Sequence, residues 1–280
     1  MTFPLGSYPV HRIGFGAMQL PGPGVFGPPR DRTEALAVLR RAVELGVDHI
    51  DTAQYYGPAV ANELIRDALH PYPSNLAIVS KVGGRRDDQG RWLAAQRPEE
   101  LRQGVLDNLR TLRIDRLAAV NLRLMEGSGV DFDEQLDAMT AMRDEGLIAG
   151  VGLSNVTLEQ FEHAVARTAL VCVQNPLNLV DRASQPLLRA CAERGVAFVP
   201  FFPLGSAFGG VNRVLTNPDL RAAAERLSVT PAQVALAWTL TLGPNVLLIP
   251  GTSSVGHLEE NLAAGELELD EKTQQALDGV

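Results

Sequence analysis

The sequence predicts a closed (β/α)8 barrel, the TIM-barrel architecture, on three observations. Short apolar runs alternate with amphipathic helical patterns from one end of the chain to the other, and that alternation builds parallel sheets covered by helices. Eight such runs can be counted, the number that closes a barrel. The competing open, doubly wound sheet wants a glycine-rich turn that opens a helix directly after the first strand. Here Gly14-Phe15-Gly16 leads instead into Ala17, Met18 and a proline-rich loop. The chain is therefore read as one barrel domain over residues 1–280.

In order, strands are expected at 12–15, 49–51, 76–81, 117–122, 148–153, 171–174, 197–201 and 246–249, where Val, Ile, Leu and Ala dominate. Helices are expected at 33–45, 59–70, 98–112, 132–145, 157–166, 186–194, 219–227, 231–242 and 270–278. The first places Leu36, Leu39 and Val43 on one face, and Gly46 closes it. Pro98 opens the third at a first-turn position, with Glu99 and Glu100 suiting the positive end of the helix dipole. Thr230-Pro231 is a strong start signal for 231–242. Two segments of loop composition, 20–30 and 82–97, follow strands and are expected over the C-terminal mouth of the barrel, where active sites are built.

Composition narrows the function. With 25 Lys+Arg against 33 Asp+Glu the formal charge is −8, which argues against a nucleic-acid partner. The first residues show neither the charged stretch nor the unbroken apolar run of a signal peptide, and no stretch has the length of a membrane span, so a cytoplasmic protein without membrane partners is expected. Cys172 and Cys191 sit in apolar contexts and read as buried small hydrophobes. His49 shares the parity of Asp51 and reads as a hydrogen-bonded core residue, while His11, His70 and His163 read as surface. No His/Cys/Asp spacing resembles a metal site. Of the basic residues all but Lys81 and Lys272 are Arg. A chain that writes its surface charge with arginine has kept one lysine at a strand end.

Catalytic groups of a barrel project from strand ends. Asp51 and Lys81 at neighbouring ends make a buried ion pair, an arrangement that is a poor stabiliser and more often prepares chemistry. Five residues after Asp51 comes Tyr56. Tyrosine releases its proton near pH 10, and an adjacent cation is expected to lower that value, so Tyr, Lys and Asp together form a sensible proton-donor unit.

These residues lie in motifs that resemble the aldo-keto reductase family over essentially the whole chain: DTAQYYG at 51–57, VSK at 79–81, GVGLSN at 150–155, Gln174-Asn175, Pro203-Leu204-Gly205 and IPGTSSVGHLEEN at 249–261. The resemblance implies reduction of a small-molecule carbonyl by NADPH in preference to NADH, with Tyr56 as general acid, Lys81 tuning it and Asp51 pairing the lysine. It implies that Ser154, Asn155 and Gln174 hold the nicotinamide carboxamide and that Phe201 stacks on the ring where the family has Tyr. It places Gly16, Ala17, Met18, Asp51, Pro203, Leu204, Gly205, Gly251, Thr252, Ser253, His257, Glu260 and Asn261 along the cofactor. The loop from Gly251 to Asn261 is expected to cradle the adenosine end. Phe26, Tyr55, Trp92, Met125 and Phe208 are the expected substrate wall.

Two departures stand out. The family's fourth-strand histidine has no counterpart. Its slot falls on Arg123, with Asn121 one layer below, and which of the two takes over its role stays open at this point. A guanidinium there is suited to an oxyanion or an anionic substituent, or else turns away to solvent or pairs with Glu126. Gly251 stands where many members carry a lysine against the 2′-phosphate. Within the family the chain is similar to a bacterial branch that includes pyridoxal reductases, and pyridoxal is an aldehyde beside a phenolate. The alternative reading is a nicotinamide-cofactor-binding sensor or regulatory subunit without turnover. Substrate, direction and oligomeric state are not legible in the sequence.

Overall fold

The computed structural model describes residues 2–205 and 212–280. A hairpin of β1 (Thr2–Leu5) and β2 (Tyr8–His11) comes first. The barrel strands are β3 (Phe15–Gly16), β4 (His49–Asp51), β5 (Ala77–Arg86), β7 (Ala119–Arg123), β8 (Val151–Ser154), β9 (Leu170–Gln174) and β10 (Ala197–Phe198), while β6 (Trp92–Ala95) stands outside the ring. The barrel strands lie side by side in parallel, in chain order. The expected strand at 246–249 closes the ring through two bridges, Phe198 to Val246 and Leu248 to Ile13. The Gly14 amide donates to Leu248 O at 2.8 Å across that seam.

Among the described residues ten α-helices follow: α1 (Arg32–Glu44), α2 (Val60–Leu69), α3 (Pro98–Leu112), α4 (Phe132–Asp144), α5 (Leu158–Arg167), α6 (Gln185–Glu193), α7 (Pro218–Leu227), α8 (Pro231–Thr241), α9 (Val255–Ala263) and α10 (Glu271–Asp278). Their starts follow local chemistry. The Asp31 carboxylate accepts from the Thr33 and Glu34 amides at the head of α1. Thr230 and Gln233 exchange the reciprocal bonds of a capping box at the head of α8, just ahead of Pro231. The main core lies between strands and helices. A second cluster fills the barrel interior, where Leu5 and Val10 of the hairpin pack with Ala77, Val79, Ala118, Cys172, Ala197 and Leu247.

Four expectations need correction. The N-terminal hairpin is absent from the sequence reading; its alternating pattern is only four residues per strand. Residues 82–97 are not a loop, because β5 runs on to Arg86 and β6 returns antiparallel along it. The strand expected at 197–201 ends early, at Phe198, because the chain bends into Pro200, leaving Phe201 a single bridge to Pro176. The stretch from Gly251 to Asn261 is loop only to Ser254, whose side chain caps α9.

Both cysteines are free and buried, and burial pushes each thiol up to about 12. His11, His70 and His163 are exposed. His49 is buried with Nδ1 3.4 Å from Asp48 Oδ1, but its Nε2 has no partner, so it is only half the hydrogen-bonded core residue expected. Among the described residues no helix is long and apolar enough to cross a membrane.

Candidate active site

Strand alternation decides which side chains enter the mouth. Val79 and Lys81 point inward from β5 and Ser80 outward toward α3, so Lys81 meets Asp51 of the neighbouring strand. Lys81 stands where β5 leaves the barrel: its pairing with β7 ends at Val82 and its pairing with β6 begins at Gly83. The Lys81 ammonium donates to Asp51 Oδ1 and, at 3.1 Å, to Thr52 O. Gln174 Nε2 donates to Asp51 Oδ2 at 2.6 Å. Both oxygens of the buried carboxylate are thus engaged from β5 and β9.

A polar network holds these strand ends from behind. Thr52 donates to Asn62 of α2 at 2.8 Å, and Asn62 in turn donates to Asn108 of α3 at 2.8 Å. Ser80 donates to the same Asn108 oxygen at 2.6 Å. Sequence reasoning misses Asn108, although a lone Asn on the Leu101, Val105, Leu109, Leu112 stripe of α3 is a readable signal. Replacing it by leucine strands the buried Ser80 hydroxyl, while the Asn62 amide keeps Gln54 and Thr111 as partners. Asn108→Leu is expected to cost about 1–3 kcal/mol, measured by urea unfolding.

Tyr56 lies under the ammonium, with Lys81 Nζ 5.0 Å from its ring centroid. The expected lowering of its pKa by Lys81 is not what this site does. Burial, followed by the Asp51 carboxylate, pushes the phenol above its ordinary value, and the cation that draws it back is Arg123. Burial outweighs the neighbouring charges, and the charge of Lys81 is offset by the carboxylate bonded to it. Tyr56 therefore holds its proton as a neutral phenol.

Arg123 ends β7. Its Nη1 donates to Ser154 Oγ at 3.2 Å, and the guanidinium stands 5.5 Å from the Phe201 ring centroid. It pairs with no carboxylate among the described residues, so the expected alternative of a Glu126 pair is not realised. Its backbone is held by Gln96, which donates to Arg123 O at 3.1 Å and accepts from the Met125 amide. Gln96 carries no readable signal, since 82–97 has the composition of a loop. Asn121 lies in register with Lys81, fully buried below the mouth; it accepts from the Cys172 thiol while its Nδ2 has no partner. Of the two, Arg123 is the residue at the mouth.

Two cavities meet at Met18, Tyr56, Lys81, Phe201 and Phe202. The first, about 250 Å³, also has Gly16, Asp51, Gln174, Pro203, Leu204, Gly205 and Gly251 on its wall, together with the unforeseen Gln19 and Asn212. Gly16 and Gly251 touch across the barrel seam, where a Cβ on either would run into the carbonyl of Ile249 or Gly16. The second, about 450 Å³, has Tyr55, Trp92, Met125, Arg123, Glu126 and Asn155 on its wall. Tyr55 and Trp92 meet edge to face at 5.2 Å, and burial raises the Tyr55 phenol, whose hydroxyl has no partner.

The remaining expected residues are placed elsewhere. Phe26 is off the wall of the second cavity, drawn outward by Arg86, whose guanidinium lies 5.5 Å from its ring. Ala17 is fully buried behind the first cavity. Ser154 is buried and accepts from Arg123, while Asn155, at φ +62°, opens on the second cavity and donates to Leu124 O at 3.1 Å. Thr252 is buried, Ser253 and His257 are exposed, and Glu260 and Asn261 lie on α9; none is on the wall of the first cavity. Phe208 lies outside the described residues. Among the described residues no cluster of His, Cys, Asp and Glu is arranged to hold a metal ion.

One observation bears on a nicotinamide cofactor. Gln174 Oε1 is buried at the first cavity with no partner, while the Nε2 of the same amide is fixed by Asp51. An acceptor locked in orientation is what a carboxamide N–H requires.

Comparison with known proteins agrees with this geometry. The model of the aldo/keto reductase family matches residues 12–280. The chain is 50% identical to a pyridoxine 4-dehydrogenase of Escherichia coli, over all of this chain and 98% of that one. It is 38% identical to an uncharacterised oxidoreductase of Schizosaccharomyces pombe, covering 99% and 89%. Among solved structures, an aldo/keto reductase of Klebsiella pneumoniae crystallised with NADP and acetate superposes with a TM-score of 0.83 at 26% identity, covering 99% and 94%.

Proposed function

Because the chain belongs to the aldo/keto reductase family, we propose that it reduces an aromatic aldehyde bearing a phenolate, pyridoxal foremost, at the expense of NADPH. The observation that carries this reading is the neutral, buried Tyr56 phenol at the junction of two cavities, beside Arg123, which pairs with no carboxylate among the described residues. Bound NADPH supplies the hydride. Gln174 Oε1, unpartnered at the first cavity, would accept from the carboxamide N–H and so hold that group. Tyr56 donates its proton to the carbonyl oxygen, and Lys81 above the ring stabilises the tyrosinate left behind. Asp51 and Gln174 hold Lys81 in place. Phe201 and Phe202 form the apolar wall where the two cavities meet. Arg123 receives the phenolate beside the aldehyde, as a forked donor that is always charged. The identity to a pyridoxine 4-dehydrogenase supports the same pair of compounds, alcohol and aldehyde.

The test is steady-state oxidation of NADPH and of NADH with pyridoxal, salicylaldehyde, benzaldehyde and propanal. Turnover of pyridoxal with NADPH well above the neutral aldehydes is expected. Tight NADPH binding with no turnover of any of the four would point to a cofactor-binding sensor instead. Arg123→Ala is expected to lower kcat/KM for pyridoxal and salicylaldehyde by about 10–100-fold, the worth of a hydrogen bond to a charged group. Benzaldehyde and propanal should lose much less, and an equal loss for all four would remove the phenolate role.

A further inference from the structure

The least explained side chain near the mouth is Arg86. It ends β5, directly across the hairpin from Trp92. Its guanidinium carbon stands 4.1 Å from the Trp92 ring centroid and 5.5 Å from that of Phe26. Its Nη2 donates to Gly24 O at 2.9 Å, while Nε and Nη1 are shielded from solvent without a partner. Buried N–H groups left unpaired are a cost that an arginine decorating the surface would not carry.

We infer that Arg86 is a positioning residue for substrate: it clasps Trp92 to the 20–30 loop and so sets the wall of the cavity in front of Tyr56. Two routes run from this one side chain to the phenol. Through the rings, Trp92 meets Tyr55 edge to face at 5.2 Å, and Tyr55 meets Tyr56 likewise at 5.4 Å. Through the backbone, the loop held at Gly24 exchanges bonds with the turn that carries both tyrosines, Gly27 N to Gly57 O at 3.0 Å and Gly57 N to Val25 O at 3.1 Å. Trp92 is 38% exposed, so its position depends on what lies against it. A planar guanidinium can stack on one ring, face a second and reach a carbonyl at once, which an ammonium cannot. The clasp matters for aromatic aldehydes, whose ring would lie toward Trp92, and not for short aliphatic ones such as propanal. This inference rests on the reading of the second cavity as the carbonyl pocket.

Arg86→Leu and Arg86→Lys are compared with the parent on benzaldehyde and propanal, with NADPH in excess. Both variants are expected to raise KM for benzaldehyde about tenfold with kcat within about twofold, leaving KM for propanal and the affinity for NADPH unchanged. In a Trp92→Ala background Arg86→Leu should add nothing. Acrylamide quenching of the tryptophan emission should rise in both variants, and the added quenching should be absent from Trp92→Phe, since Trp238 is fully buried. An unchanged KM for benzaldehyde, an equal rise for both aldehydes, or a lysine variant indistinguishable from the parent would each overturn the clasp. If the leucine variant does not fold, Arg86→Gln takes its place. Parent protein inactive on both aldehydes would count against the reductase reading, and the quenching comparison would still decide the clasp.

Discussion

Tyr56→Phe is expected to lower kcat for carbonyl reduction by about 10²–10⁴-fold while binding NADPH within a few-fold of the parent. The substitution removes one hydroxyl from a ring that is 6% exposed and already surrounded by apolar and aromatic neighbours, so folding is little affected. What is lost is specific. Burial and Asp51 hold the phenol protonated, and Arg123 moderates that rise, so this group enters the reaction as a neutral proton donor. Arginine at 123 cannot replace it, because a guanidinium keeps its proton at any working pH. Asn121 cannot either, because it lies below the mouth, bonded to Cys172. Stopped-flow reduction with preformed NADPH complex separates the chemical step from product release. A Tyr56→Phe variant retaining more than about a tenth of the parent rate in that step would mean that the proton comes from elsewhere.

The strand ends were legible in the sequence because a short parallel strand buried on both faces is a run rich in Val, Ile, Leu and Ala, and its last inward residue is polar. Asp51, Lys81 and Gln174 are all found that way, and the structure brings these three into direct contact. The sign of the effect on Tyr56 was not legible. Sequence places an ion pair beside a phenol, but how deeply the ring is buried among these strand ends, the largest influence on its proton, appears only in the fold. The hairpin of β5 and β6 was hidden for a different reason. Its strands carry Gly83, Gly84, Arg85 and Arg86 in place of β-branched residues, and they hold together through their pairing and through Trp92 rather than by local preference. The same blind spot concealed Gln96 and Arg86, because a side chain that works by bridging two segments leaves no periodic mark in either one.

The Asp51–Lys81 pair should separate stability from function when its members are removed singly and together. Asp51 is 3% exposed and Lys81 5%, so each depends on the other for its charge. Asp51→Asn leaves the ammonium with Thr52 O as its remaining bonded partner, and the expected cost is about 3–5 kcal/mol, the penalty of an uncompensated buried charge. Lys81→Met leaves the carboxylate with Gln174 Nε2 alone, and a cost in the same range is expected, about 3–5 kcal/mol. The double variant removes both charges at once, so its loss should be well below the sum and below either single loss. Its catalysis should nevertheless be gone. A methionine at position 81 offers no charge to a tyrosinate, and an asparagine at position 51 no longer fixes the Gln174 amide in one orientation. Urea unfolding of all four proteins, read beside single-turnover rates, tests this directly. If the double variant is as unstable as the two singles added together, the pair is holding the barrel closed by its geometry. If it is stable and inactive, the charges at 51 and 81 are kept for what they do to Tyr56.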